Sequence, residues 1–472
     1  MPKHSKNPQV HLAGDAGSKP DWWDALIGVV PGVTAWRPLL LDRIQASDAL
    51  FAAPAAGPSL NNIISDRGTT PRRPDTPPAT FGIRAGRDTG NLFEPARVTP
   101  IHAWHARQGA EFEELGPWRR PWFYPKPGEN LHQAVDRECL ATRHGVGIMD
   151  TSPLGKLDIR GADAREFLRR IHTHGWTKLG VGKCRYGLMC EEDGTVFADG
   201  LLACLGDDHF IMTTSGGAEG VLQWLALWHQ TEWPELELYM SGVTERWAAM
   251  TVSGPNSRKV LEKVCEGVDL SGEAFAFMDW RPATVAGVAA RIFRFSFTGE
   301  LSFEVQVQAS YGLHVWEALM DAGAGLNITP CGTEAMQVLR AEKGTVIVGQ
   351  DRDGFVTPDD TVMARSSDRG SRSRSAPKQL IGLRAKDPRV LIPEGARIAL
   401  DPEPASPAQM AGLVSASHYS ACLGQAIALG LVKGGSRRLG QTVYCLPGNG
   451  RVLEAEITSP IFYDPKGERL HR

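Results

Sequence analysis

The segment Ile292-Phe-Arg-Phe-Ser-Phe-Thr-Gly-Glu-Leu-Ser-Phe-Glu-Val-Gln-Val307 carries the clearest structural signal in this 472-residue chain. Apolar and polar residues alternate on both sides of Thr298-Gly-Glu300, and a two-residue period is typical of β-strands with one buried face. The glycine in the middle suits a turn. The segment therefore predicts two antiparallel strands joined by a turn that carries Glu300.

Further elements on either side follow from the same kind of pattern. Asp193-Gly194 is a turn dipeptide that separates two apolar runs, residues 186–190 and 196–205, and it predicts a second hairpin. Apolar residues at helical spacing predict helices over residues 163–171 and 333–343, and Gly344 suits a left-handed end for the second helix. Helices mixed with antiparallel hairpins predict the α+β class.

Composition divides the chain into three parts. Residues 1–90 are rich in Ala, Pro, Gly and Arg, which predicts a low-order N-terminal segment. Residues 91–376 contain the helices and hairpins predicted above. An aromatic-rich stretch at 93–127 is expected to pack on the surface of this domain. Residues 377–472 follow a Ser/Arg-rich break and contain short strand-like runs.

Charge and cysteine usage exclude several classes of protein. The formal net charge of -3 gives no electrostatic reason to expect nucleic acid or a membrane surface as a partner. No apolar run is long enough for a membrane helix, and no secretory signal is visible. The eight cysteines are scattered without a Cys-x-x-Cys pair, which predicts reduced thiols and a cytoplasmic protein. No glycine-rich nucleotide-binding signature occurs.

Asp199 is the first candidate for chemistry. It lies in Val196-Phe-Ala-Asp-Gly-Leu-Leu-Ala-Cys-Leu205, a strand that is otherwise almost wholly apolar. A carboxylate buried there without partners costs several kcal/mol or becomes protonated, so such a residue points to a ligand or a structural cap. The alternative is an exposed strand kink before Gly200.

Glu300 and Arg340 are the next candidates, each with a plain structural alternative. A hairpin turn can direct the Glu300 carboxylate into a cleft, where it would suit a heterocycle with adjacent N–H donors such as a pterin; otherwise it is a solvated turn residue. Arg340 lies inside a predicted helix and either binds an anionic ligand tail or forms a salt bridge with Glu342 or another nearby acid. His102-x-x-His105 and His172-x-His174 have no third ligand in a plausible frame, so no metal is predicted.

Several ordered motifs resemble the glycine cleavage T protein (aminomethyltransferase) family. They are Gly147-Ile-Met-Asp-Thr-Ser-Pro-Leu-Gly-Lys-Leu-Asp158, Asp193-Gly-Thr-Val-Phe-Ala-Asp199, Ser253-Gly-Pro255, Phe297-Thr-Gly-Glu-Leu-Ser-Phe-Glu304 and Leu339-Arg-Ala-Glu-Lys-Gly344. Two further stretches look like sarcosine oxidase alpha subunits within that family, specifically their C-terminal folate-binding part. They are Phe93-Glu-Pro-Ala-Arg-Val-Thr-Pro-Ile-His-Ala-Trp-His105 and Val348-Gly-Gln-Asp-Arg-Asp-Gly-Phe-Val-Thr-Pro-Asp-Asp360. The resemblance covers residues 79 to 472.

The resemblance implies a three-lobed folate-binding fold around a central opening, with residues 377–472 as a C-terminal β-barrel. By motif, Asp199 matches the family carboxylate near N10 of tetrahydrofolate and Glu300 the one that grips the pterin. Tyr186, Phe297 and Arg340 are carried over as further residues that bind the cofactor.

The resemblance also implies partners and a reaction. A flavin (FAD or FMN) on another subunit of a hetero-oligomeric sarcosine oxidase would oxidise sarcosine, and this chain would capture the methyl carbon as 5,10-methylenetetrahydrofolate. A free-standing aminomethyltransferase or demethylase and a non-catalytic remnant or scaffold subunit are the alternatives. The family usually continues after residue 360 with a stretch that helps to wall the folate site, whereas residues 361–375 here are shorter and Ser/Arg-rich, which predicts weak folate affinity.

Overall fold

The computed structural model describes residues 97–472 apart from 173–177, 193, 215–216, 348–377, 405, 407–408 and 449. The predicted low-order segment at residues 1–90 and the Ser/Arg-rich break at 361–376 lie outside the described residues. Within the described part of the chain, no helix has the length and apolar character needed to cross a bilayer.

Helices and strands alternate through the described residues. The helices are α1 (His102–Arg107), α2 (Leu131–His144), α3 (Ala164–Ile171), α4 (Ala218–Glu232), α5 (Ser257–Leu261), α6 (Gly312–Gly323) and α7 (Thr333–Lys343). The strands up to the last helix are β1 (Arg97–Val98), β2 (Glu111–Leu115), β3 (Trp118–Phe123), β4 (Gly147–Asp150), β5 (Gly155–Arg160), β6 (Cys184–Cys190), β7 (Val196–Gly206), β8 (His209–Thr214), β9 (Tyr239–Gly242), β10 (Trp247–Ser253), β11 (Cys265–Glu266), β12 (Asp279–Val285), β13 (Val288–Arg294), β14 (Ser302–Gln308) and β15 (Thr329–Pro330). The remaining strands are β16 (Gln379–Ala385), β17 (Arg397–Ala399), β18 (Met410–Ser420), β19 (Gln425–Val432), β20 (Thr442–Leu446) and β21 (Leu453–Thr458).

The first lobe is built on a seven-stranded sheet with the order β11-β12-β13-β14-β10-β4-β15. Apolar residues at alternate positions of its central strands, such as Val305 and Met250, face a core that includes Trp316 of α6 and Val260 of α5. A small sheet, β1-β3-β2, precedes this lobe. The lobe combines antiparallel strand pairs with packed helices, as the α+β prediction requires.

The second lobe is a five-stranded sheet with the order β6-β7-β8-β5-β9, and α3 and α4 cover one of its faces. The pair β6–β7 is antiparallel, which confirms the hairpin predicted around Asp193-Gly194. Phe167, Leu168 and Ile171 of α3 are buried on one helical face, as their spacing predicted.

The third lobe is a closed barrel with the strand order β16-β19-β18-β17-β20-β21. Its interior is filled by small and branched apolar side chains, including Ile381, Val414 and Ile457. The fold is therefore α+β with two sheet-and-helix lobes and a C-terminal β-barrel, as the sequence analysis expected.

Two local expectations were wrong. Strand β13 ends at Arg294, so Phe295 and Phe297 lie in a loop rather than in the strand. The polar residues of the loop explain the change: the Ser296 hydroxyl accepts from the Gly299 amide at 2.9 Å, and the Thr298 hydroxyl bonds Ser253 at 2.7 Å, which competes with strand pairing.

The aromatic-rich stretch also differs from its expectation. Trp104 and Tyr124 are buried members of the first lobe's core instead of lying on its surface. The Trp104 ring packs edge-on against Trp316 with 5.2 Å between centroids, because α1 inserts an apolar side beside α6.

Candidate active site

The sheets of the first and second lobes meet through one cluster of apolar side chains. Leu201, Ala203 and Ile211 of the five-stranded sheet pack with Trp280 and Phe293 of the seven-stranded sheet. Alternate residues of a strand share a face. Residues an even number of positions from these side chains on the same strand therefore lie on the face of one sheet that is turned toward the other sheet, and these two faces are called the facing surfaces. The polar residues on the facing surfaces form the candidate site.

Asp199 lies on the facing surface of the second lobe. It is two residues before Leu201 on β7 and only 2% exposed, so it does not occupy an exposed kink. The Tyr186 hydroxyl donates a hydrogen bond to its carboxylate from the neighbouring strand. Burial, followed by the charge of Asp199, raises the pKa of Tyr186 well above its usual value of 10. Tyr186 therefore keeps its proton and serves as a donor at neutral pH.

Glu304 lies on the facing surface of the first lobe. It is directly opposite Phe293 in the β13–β14 register, and opposite residues of an antiparallel pair point to the same face. The carboxylate is 2% exposed and accepts from Gln306 Nε2 at 2.8 Å and from Thr151 Oγ1 at 3.1 Å. Both donors are neutral groups, so neither cancels a negative charge, and the carboxylate retains accepting capacity for a ligand.

Two polar atoms beside Glu304 add to its hydrogen-bonding capacity, and together with the Glu304 carboxylate they form what is called here the acceptor surface. Gln306 Oε1 and Ser302 Oγ are buried, and neither has a hydrogen-bond partner among the described residues. Ser302, Glu304 and Gln306 occupy alternate positions on β14 and so share one face. Buried polar atoms are normally satisfied, so this row of atoms marks a place for ligand groups or water.

Glu304 and Gln306 were missed by the sequence analysis, although a signal was available. The criterion that singled out Asp199, a carboxylate inside an apolar strand, applies equally to Glu304 between Phe303 and Val305.

Glu300 occupies a different environment. Its carboxylate is 1% exposed and bonds Arg143 Nη1 at 3.1 Å, the Tyr463 hydroxyl at 2.7 Å and Arg469 Nη1 at 3.2 Å. Arg143 also pairs with Glu342 at 2.6 Å. Glu300 is thus the centre of a buried ion network that joins the first lobe to the C-terminal segment, and it is not a solvated turn residue.

Arg340 and Phe297 lie near this network. Arg340 is fully buried; its Nε donates to Gln337 Oε1 at 3.1 Å and its Nη1 to the Thr345 carbonyl at 3.3 Å. The Thr345 hydroxyl in turn donates to the Phe297 carbonyl at 3.3 Å. The structure therefore brings the predicted residues together in two groups: Tyr186 with Asp199, and Phe297 and Arg340 with the loop that carries Glu300.

A buried chain of hydrogen bonds links Tyr124, His105 and Asp150 in the first lobe, and Asp150 also accepts from the Ser152 amide in the loop after β4. His105 Nε2 lies 3.0 Å from Asp150 Oδ2, and the Tyr124 hydroxyl lies 2.9 Å from His105 Nδ1. Burial alone would raise the pKa of Asp150, but bonds from His105 and Ser152 outweigh it and hold that pKa below its usual value. Across the residues that the structure describes, no group of three or more His, Cys, Asp or Glu residues could hold a metal ion.

Comparisons with known proteins give a consistent picture. The GCVT N-terminal domain family matches residues 101–368, and the glycine cleavage T-protein C-terminal barrel domain family matches residues 378–464. The sarcosine oxidase subunit alpha of Corynebacterium sp. (strain P-1) is 46% identical over 85% of this chain and 43% of its own length. An aminomethyltransferase of Halothermothrix orenii is 31% identical over 56% of this chain and 69% of its own length.

A solved structure supports the fold. The glycine cleavage system aminomethyltransferase T from Bartonella henselae superposes with a TM-score of 0.65 at 21% identity, over 78% of this chain and 98% of that one. The chain spans less than half the length of the sarcosine oxidase subunit that it matches.

Proposed function

Because the chain belongs to the glycine cleavage T-protein family of aminomethyltransferases, we propose that it binds tetrahydrofolate between its two sheet-containing lobes and transfers a one-carbon unit. In this proposal it is part of a hetero-oligomeric sarcosine oxidase, in which sarcosine becomes glycine and the methyl carbon is captured as 5,10-methylenetetrahydrofolate. The proposal rests mainly on two buried carboxylates, those of Asp199 and Glu304, which lie on facing surfaces of the two lobes.

The acceptor surface on β14 suits a pterin. A pterin edge presents adjacent N–H donors, and a buried carboxylate whose hydrogen-bond donors are all neutral is a matching acceptor. Glu304 meets that description, and Gln306 Oε1 offers a further acceptor. Glu300, which the resemblance assigns to the pterin, already accepts from two guanidinium groups, so Glu304 is the stronger candidate for this role.

Asp199 and Tyr186 suit the proton transfers of the reaction. Tetrahydrofolate supplies two amine nitrogens that take up the one-carbon unit, and each nitrogen loses a proton. When the carbon arrives as an imine of the amine product, it bonds both folate nitrogens, the carbon–nitrogen bond of the imine breaks, and the two released protons pass to the departing amine. Asp199 can relay these protons one after the other and is a carboxylate again at the end. The Tyr186 hydroxyl orients the carboxylate and stays protonated throughout. Asp199 is only 2% exposed, so little water reaches it, and water would otherwise release the carbon as formaldehyde.

Partners follow from the similarity to sarcosine oxidase alpha subunits. Oxidation of the N-methyl group needs an electron acceptor, and we assign it to a flavin on another subunit. The chain's own share of the reaction is then the capture of the one-carbon unit in the cytoplasm.

Calorimetric titration of the chain with tetrahydrofolate tests the proposal. We expect saturable binding with a dissociation constant above about 1 μM, because residues 361–375 depart from the family pattern. Asp199→Asn and Glu304→Gln should weaken binding, whereas the surface variant Glu166→Gln should leave it unchanged. No binding up to about 1 mM, or equal binding by all variants, would overturn the proposal.

A free-standing aminomethyltransferase is the second candidate, and the similarity to the Halothermothrix orenii enzyme favours it. Turnover of a methylamine donor by the isolated chain, without any partner, distinguishes it from the first. A scaffold role predicts instead that Asp199→Ala leaves the oxidase activity and the methylene-folate yield of the assembly unchanged.

A further inference from the structure

The loop between β4 and β5, residues 151–154, connects the two facing surfaces. The Thr151 amide donates to the Ala249 carbonyl at 2.9 Å, and the Ser152 hydroxyl accepts from the Ala249 amide at 3.0 Å, which fixes the loop to β10. The Thr151 hydroxyl donates to Glu304 Oε2 at 3.1 Å. The position of this loop therefore sets one of the two contacts that hold the Glu304 carboxylate.

Lys156 lies directly behind the loop. Its β5 neighbours Leu157 and Ile159 belong to the helix-covered core, so Lys156 points to the opposite face, toward the first lobe. The side chain is fully buried. Its Nζ donates to three carbonyl oxygens of the loop: Leu154 at 2.8 Å, Ser152 at 3.1 Å and Thr151 at 3.4 Å.

We infer that Lys156 is a positioning residue whose ammonium group clamps residues 151–154 and thereby holds Thr151 against Glu304. An ammonium group has three N–H donors, and the loop presents three carbonyl oxygens to it. A fully buried lysine is rare unless it is held in this way. The consequence for folate binding rests on the function proposed above, whereas the clamp itself does not.

The clamp depends on protonation. Burial lowers the pKa of Lys156 from 10.5 to about 8, and the charges of Glu304 and Asp150 oppose this effect. A neutral amine has only two N–H donors, so at least one loop carbonyl loses its partner when Lys156 deprotonates. Other charged groups described on these surfaces include Asp199, Asp158 with its partners Arg160 and His209, and Arg291 of β13, and His105 pairs with Asp150.

Hydrogen exchange of the backbone amides of residues 147–156 tests the clamp without any ligand. After correction for intrinsic rates, we expect protection in the unmodified chain to fall about fivefold between pH 7 and pH 9, the effect of losing one typical hydrogen bond. Lys156→Met should lose at least this protection already at pH 7 and show no further step. Equal protection in both proteins at pH 7, or no step in the unmodified chain, would overturn the inference.

Two control variants exclude other causes. Lys183→Met removes a half-exposed lysine of the same lobe that pairs with Asp279, and it should leave exchange of residues 147–156 unchanged. Glu138 has a pKa raised to about 8 by burial, so it titrates in the same range. Glu138→Gln should keep the pH step if Lys156 causes it, and loss of the step would contradict the inference.

Folate titration of the same proteins separates the clamp from the proposed function. At pH 7 we expect Lys156→Met to bind tetrahydrofolate about tenfold more weakly than the unmodified chain, and Lys156→Arg to recover part of the affinity without the alkaline loss. Altered exchange with unaltered affinity would overturn the positioning role. Altered exchange in a chain that binds no folate at all would support the clamp and reject the proposed function.

Discussion

Buried acids in this protein differ in the charge of their partners. Glu300 accepts hydrogen bonds from two guanidinium groups, whereas Glu304 accepts from an amide and a hydroxyl. A carboxylate that is paired with cations is tied to the stability of the fold. One that is held by neutral donors retains accepting capacity, so under the proposed function stability and binding fall to two different residues of one hairpin.

Glu300→Gln tests the structural side of this division. The change leaves the buried Arg143 short of one carboxylate, and breaking a buried pair typically costs about 3–5 kcal/mol of unfolding free energy. The control Glu166→Gln removes surface pairs with Arg169 and Arg170 and should cost less than about 1 kcal/mol. Urea denaturation of the three proteins measures both values, and equal costs would contradict the structural role.

Sequence could identify some of these acids but not their partners. Asp199 stands out because its strand neighbours are apolar, and it is indeed buried. The partners of Glu300, in contrast, are 157, 163 and 169 residues away in the chain. Neither periodicity nor a local motif joins residues so far apart, so the ion network could be found only in the folded structure.

At the scale of elements, sequence patterns correctly predicted those turns and helix ends that depend only on neighbouring residues. The hairpin around Asp193-Gly194 and the helix ending at Gly344 follow from turn and cap chemistry, and both are present. The strand before Glu300 was predicted too long, because Ser296 and Thr298 bond within their own loop. Alternation alone could not show that these hydroxyls have better partners than the neighbouring strand.

Gly344→Ala tests the close approach of the C-terminal segment to α7. Gly344 has φ +74°, and a Cβ there would lie 2.6 Å from the Pro460 carbonyl oxygen. The control Gly116→Ala has φ +56° and nothing within 4 Å, so it measures the backbone strain alone, about 1–2 kcal/mol. We expect the Gly344 variant to lose at least about 1 kcal/mol more unfolding free energy than the control. Equal losses would contradict the contact.

His418 of β18, which lies near Arg340 of α7, is expected to make the folded protein less stable in acid. Burial, followed by the nearby Arg340, lowers the pKa of His418 from 6.5 to about 3. Between pH 6.5 and pH 3 the unfolded chain therefore binds a proton that the folded chain does not, and stability falls as the pH falls.

The loss attributable to His418 approaches about 4–5 kcal/mol at pH 3. Denaturant unfolding from pH 7 to pH 4 should show a smaller acid loss in His418→Asn than in the unmodified chain. The exposed His314→Asn on α6 is the control and should keep the full loss. Parallel pH profiles for all three proteins would contradict the assigned origin.

At the scale of the whole molecule, the family resemblance predicted the three lobes, but only the folded structure shows which of their surfaces face each other. The C-terminal barrel and the two sheet-and-helix lobes agree with the family fold. That Glu304 faces the lobe of Asp199 depends on the packing of Leu201 and Ala203 against Phe293, a contact between distant segments. A sequence pattern defines a face of each strand, but it does not identify what packs against that face.

A double-mutant cycle tests whether the C-terminal segment and the first lobe form one cooperative unit. Arg469 follows the barrel strands in the chain, yet its guanidinium bonds both oxygens of Glu300 in the first lobe. Arg469→Met and Glu300→Gln should therefore couple by about 1–3 kcal/mol, and the unmodified chain should unfold in a single transition. The exposed barrel pair Lys386→Met and Glu454→Gln is the control and should couple by less than about 0.5 kcal/mol. A coupling near zero for Arg469 and Glu300, or separate transitions in calorimetry, would mean that this contact does not bind the C-terminal segment to the first lobe.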